Sequence, residues 1–151
     1  MALDYFLGLD TSQDVPVLLE SVRRHLGGTA GSGQLAGVPG LFVQADRLDP
    51  DRPPVVYEKE GLQASVSVDF SLQAESPDER VVAMRHMLVA AANLPVDLDC
   101  DALLTFQYDV ACLRRKHGRL ELFTHWADWR DPWVVERLPE GYVLSDEVPR
   151  Y

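Results

Sequence analysis

Residues Ala102 to Thr124, ALLTFQYDVACLRRKHGRLELFT, hold two β-rich runs separated only by His117-Gly118, and no other stretch constrains the fold as much. Gly118 supplies the positive φ that a two-residue hairpin turn needs, and histidine tolerates it better than a β-branched residue. Such a turn sets Lys116 opposite Arg119, Arg115 opposite Leu120, Arg114 opposite Glu121 and Leu113 opposite Leu122. Arg114 and Glu121 then pair across the strands. A long antiparallel hairpin demands a sheet to belong to, and the rest of the chain has to supply it.

The other elements follow from periodicity. Leu3, Tyr5, Leu7 and Leu9 alternate with smaller or polar residues, the pattern of a half-buried strand. Thr11, Ser12 and Asp14 offer helix caps ahead of Pro16, and Val15, Leu18, Leu19, Val22 and Leu26 then recur at helical intervals until Gly27. Gly28 to Gly40, with glycines at 28, 31, 33, 37 and 40, reads as a mobile surface loop. It lacks the Gly-Lys-Ser/Thr ending of a phosphate-binding loop. Strands are expected at Leu41–Ala45 and Val55–Lys59, separated by a turn over Asp49 to Pro54. From Leu62 to Gln73 alternation is unbroken, with Ser67, Asp69 and Ser71 among the wet-face residues. Ser76-Pro77-Asp78-Glu79 matches a capping box, and the helix it opens carries Val81, Met84, Met87, Leu88 and Ala91 as core filler before Pro95 ends it. These elements predict an α+β fold in the order β-α-β-β-β-α-β-β, a mainly antiparallel sheet of about six strands with two helices on one face.

Residues 1–151 suit one globular domain that needs no staple. Cys100 and Cys112 are too few for a disulfide framework; both are read as reduced and small, although a single closed pair remains open. With 24 acidic against 14 basic residues the net charge is −10, which repels phosphate backbones and anionic lipid. Nucleic acid and membrane are therefore not expected partners. The opening MALDYFLGLD has no basic leader and carries Asp4 within its apolar run, so cytoplasmic residence is expected.

That opening strand with its following helix, and the hairpin DALLTFQYDVACLRRKHGRLEL, resemble the small bacterial immunity proteins of the Sit type. The resemblance implies protection of a cell from a toxin delivered by contact, within polymorphic toxin systems, through stoichiometric binding and without catalysis or cofactor. It implies a cognate protein toxin as partner, and the acidic balance suits a basic one. Candidate contacts are Asp97, Asp99 and Asp101 in one acidic tract, and Trp126, Asp128, Trp129, Asp131 and Trp133 in a second that holds all three tryptophans. Aromatic anchors beside carboxylates resemble interface hot spots, and the alternative is that the rings seal the core under an irregular loop.

Two other classes compete. Asp97, Asp99 and Asp101 would face one side if extended and could hold a hard cation for a metal-dependent hydrolase, but the glycine and distal glutamate of a calcium loop are absent. His25, His86, His117 and His125 show no paired ligand spacing, and no base stands beside Cys112. A self-associating scaffold, monomer or homodimer, is the remaining possibility.

Overall fold

A computed structural model describes residues 2–31 and 33–151 of the chain. It is α+β, and its described residues form one mixed sheet in the order β2-β3-β4-β5-β1-β6-β7-β8-β9. The strands are β1 Leu3–Leu9, β2 Thr29–Gly31, β3 Gln34–Ala36, β4 Leu41–Arg47, β5 Val66–Leu72, β6 Ala102–Phe106, β7 Val110–Lys116, β8 Arg119–Phe123 and β9 Val143–Ser145. All neighbours are antiparallel except β8 and β9. The helices are α1 Val15–Leu26, α2 Val55–Lys59, α3 Pro77–Asp97 and α4 Pro132–Val135.

The hairpin takes the expected register, including Arg114 opposite Glu121, and His117 and Gly118 both have positive φ. On one face of the sheet, α1 and α3 cover Tyr5, Leu7, Leu9, Val43, Val68, Phe70 and Leu104, all buried, with Met87 packed among them. The Ser76 hydroxyl accepts from the Glu79 amide at 3.1 Å as the capping box requires. The Glu79 carboxylate turns instead to the Glu75 amide. Asp14 takes the cap position of α1, but its carboxylate pairs with Arg47 rather than with the helix.

Several expectations need correction. The sheet has nine strands and not about six: Gly28 to Gly40 is no plain loop but contains β2 and β3, paired to each other and through β3 to β4; the first run of the expected hairpin is two strands, β6 and β7, folded back at residues 107–109; and β9 is added beside β8. Val55–Lys59 is the helix α2 and not a strand. Its valines and tyrosine favour a strand locally, yet Pro53 and Pro54 cannot donate to a ladder and Tyr57 gains more by docking against the sheet. The helices therefore occupy both faces. Pro95 does not end α3; it sits in the last turn, where its missing N–H forfeits one bond, and Leu98 and Asp99 close the turn by donating to Leu94 and Val96. The element order is lengthened accordingly, with α4 and β9 following the hairpin.

Candidate functional site

The second face of the sheet is covered over only half its width. Strand register arranges its side chains in three rows that run across the strands. The outer row is Ala36, Phe42, Ser71 and Asp4; the middle row is Gln34, Gln44, Asp69, Phe6, Thr105 and Ala111; the inner row is Asp46, Ser67, Gly8, Leu103, Arg114 and Glu121.

Over β6 to β8 the face is sealed. Tyr57 of α2 is fully buried and packs with Val56, Leu103, Ala111 and Phe123. It lies on Gly8, where a Cβ would come within 2.5 Å of the ring, so glycine is required by the approach and not by φ. Arg114 is the ionic centre of this half. Its guanidinium meets Glu121 at 2.7 Å, Glu60 at 3.1 Å and Glu147 at 3.2 Å, and Tyr151 donates its hydroxyl to Glu60. Burial alone would lower the Arg114 pKa, but Glu121 and then Glu60 hold it above the ordinary arginine range. Arg114 thus has three carboxylate neighbours, while Lys116 on the same strand donates to the Glu60 carbonyl.

Over β3, β4, β5 and β1 the same face is open. It forms a concave surface of about 800 Å³ lined by Asp4, Phe6, Gln34, Ala36, Phe42, Gln44, Asp69, Ser71 and Gln73 among others, and no lysine, arginine or histidine is among the described lining residues. Phe42 is 52% exposed. Asp46 takes only the Gln44 amide, Asp69 only the Ser67 hydroxyl at 2.5 Å, and neither these nor Asp4 enters an ion pair among the described residues. The Asp69 carboxyl is pushed above the usual carboxylate range by burial first; the Ser67 hydrogen bond works against this, and the charges of Asp46 and Asp4 add to it. At the boundary between the halves, Tyr108 stacks on Phe6 with centroids 4.0 Å apart. Gln107 and Tyr108 both have positive φ, a costly choice for residues with side chains, and the turn they make holds that stack in place.

The two tracts singled out from sequence are occupied with internal work. Trp129 is 1% exposed and donates its indole N–H to the Cys112 carbonyl at 2.9 Å. Trp126 packs against Tyr5 and Phe106, and Trp133 lies half-buried between His86 and the Arg137 guanidinium, which is 3.9 Å from its ring. Asp131 caps α4 through the Trp133 amide and accepts from Arg85 at 2.7 Å, which holds its carboxyl below the usual range. Asp128 is exposed. In the other tract Asp97 pairs with His25, Asp99 with Arg115, and Asp101 accepts from the His117 amide. These carboxylates point to separate partners, and the described residues contain no group of three or more histidine, cysteine or acidic side chains placed to hold a metal. Both cysteines are free and buried; burial pushes the Cys100 thiol up to about 11 and Cys112 higher still, which removes thiolate character.

Sequence reasoning placed Ser67, Asp69 and Ser71 on one wet face, of which Ser67 is buried, and missed Asp4, Phe6, Phe42 and Asp46 as their neighbours. An exposed phenylalanine alternating with Gln44 and Asp46 along β4 was the available signal. What the open half offers is carboxylates without cations beside an exposed ring, and its described residues hold no paired acid, base and nucleophile.

A family model described as SitI3-like matches residues 3–133. No curated protein and no solved structure matches the chain. Among the described residues no helix is long and apolar enough to cross a membrane.

Proposed function

The chain belongs to the SitI3-like family, and on that premise we propose that it is an immunity protein that neutralises a cognate toxin by binding it one to one, with the open half-face as the docking surface. The observation that carries this reading is the unmatched charge there: Asp4, Asp46 and Asp69 stand without a cation beside an exposed Phe42, whereas Arg114 in the sealed half of the same face is surrounded by carboxylates. Uncompensated carboxylates next to an exposed ring favour a basic, partly apolar partner surface. The acidic tract Asp97–Asp101 and the tryptophan tract are less suited, because most of their groups already bond within the chain.

The test is neutralisation of the toxin encoded beside this chain, titrated in vitro and by co-expression. Protection should saturate at one chain per toxin and should be lost in Phe42→Ala/Asp46→Asn while surviving Asp97→Asn/Asp99→Asn/Asp101→Asn. Neutralisation by far less than one equivalent would mean turnover and would overturn the binding mechanism. Loss of protection only in the Asp97–Asp101 variant would move the docking surface to that loop.

A further inference from the structure

Resting on the reading of the open half-face as the docking surface, we infer that its inner end is a receptor for one arginine side chain of the partner, bound by Asp69 against the wall made by Phe6 and Tyr108. Three features meet there, two at the surface and one buried beneath it. Asp69 lines the concave surface with a carboxylate that faces no cation among the described residues. Two fully buried hydroxyls, of Tyr57 and Thr105, have no hydrogen-bond partner. Register places Thr105 next to Phe6, and Phe6 next to Asp69; Tyr57 reaches across Gly8, the neighbour of Ser67. The Ser67 hydroxyl gives its proton to Asp69, and its oxygen stands near the Tyr57 hydroxyl without completing a well-formed hydrogen bond to it. Leaving buried hydroxyls unmade is costly, and native structures rarely do it without a reason.

The third feature is the aromatic wall. Tyr108 is held against Phe6 by a turn in which two side-chain-bearing residues adopt positive φ, a conformation most economically given to glycine or asparagine. A guanidinium suits this combination better than an ammonium. It is planar, stacks on aromatic rings, presents several donors in a fixed fork to a carboxylate, and is less strongly hydrated. Phe42, with Ala36 beside it in the outer row, would then carry the apolar flank of the same segment.

The probe is acetyl-arginine amide, followed by amide and side-chain chemical shifts of the whole chain, with acetyl-citrulline amide as the uncharged isostere. Saturable shifts confined to Phe6, Tyr57, Asp69 and Tyr108, absent with citrulline and abolished in Asp69→Asn, are expected. Tyr108→Leu should weaken the response while leaving the sheet's shifts in place, which separates the wall from the fold. Non-saturable shifts, equal shifts with citrulline, or an unchanged response in Asp69→Asn would overturn the inference. In the complex, Asp69→Asn should reduce toxin affinity by about tenfold or more. If the probe fails while Phe42→Ala/Asp46→Asn still abolishes neutralisation, the arginine receptor is wrong and the docking surface stands; if the probe binds and neutralisation is indifferent to all these variants, the docking surface is wrong.

Discussion

The two halves of the sheet's second face are built from the same strands with the same alternation, and they differ in how their polar groups are matched. Over β6 to β8, α2 and the C-terminal residues bury Tyr57, Leu103, Ala111 and Phe123, and Arg114 is compensated by Glu60, Glu121 and Glu147. Over β4, β5 and β1 nothing within the described chain covers Phe42 or pairs with Asp4, Asp46 and Asp69. A protein closes the half it needs for its own stability and leaves the other half chemically incomplete. The distinction separates residues that hold the fold from residues proposed to meet a partner, and it can be attacked from either side.

The largest effect belongs to the sealed half. Tyr57→Ala removes the ring that bridges α2 and the sheet, and should cost about 4 kcal/mol in urea denaturation, the usual range for deleting a buried aromatic. A loss below about 1 kcal/mol would mean that α2 is not part of the stable fold. Arg114→Leu comes next. Breaking a buried ion pair costs roughly 3–5 kcal/mol, but about a fifth of the Arg114 side chain is exposed and Glu147 is largely solvated, so about 2 kcal/mol is expected. That loss should shrink in acid as the orphaned carboxylates are protonated.

The open half should respond in the opposite sense. Asp69 titrates higher in the folded chain than in the unfolded one, so the folded state holds the proton more tightly. Below the ordinary carboxylate range both states are protonated and nothing is lost; as pH rises the unfolded state ionises first, and stability falls until folded Asp69 has ionised too. Asp46 on β4 and Asp4 on β1, with Tyr57 and Tyr108, are the other ionisable groups near it, and none is a cation. Asp69→Asn should therefore raise the melting temperature at neutral pH, with the gain vanishing in acid, while weakening toxin binding. A loss of stability at neutral pH would mean that Asp69 has an internal cation partner. The smallest effect on folding is expected for Phe42→Ala, within about 0.5 kcal/mol of the parent, although the same change should weaken the toxin complex about tenfold.

Local chemistry made much of the fold legible. β1, α1, the Ser76 cap and the register that sets Leu113 opposite Leu122 around His117-Gly118 follow from periodicity, capping and turn residues, all of which act within a few positions, whereas the fold-back at residues 107–109 that splits β6 from β7 does not. α2 was not legible, since five residues are too few to show a helical period and its conformation is decided by Tyr57 meeting Gly8 across the sheet. The tryptophan tract misled for a related reason. Beside Asp128 and Asp131 it has the composition of an interface, but Trp129 spends its N–H on Cys112 and Asp131 spends its carboxylate on Arg85 and α4. Ser67 is buried beside Gly8 under Tyr57, whereas Asp69 and Ser71 were visible as wet-face residues. That Phe6, Phe42 and Asp46 stand beside them depends on the strand order, which places β1 between β5 and β6 and which no local pattern encodes.

Hydroxyl-radical footprinting of the chain, free and bound to its toxin, tests the central claim most directly because it reads side-chain exposure ring by ring. Phe6 and Phe42 should become protected in the complex while Trp133 keeps its free-state reactivity. Protection of Trp126, Trp133 or the Asp97–Asp101 loop, with Phe42 as reactive as before, would contradict the assignment of the open half-face.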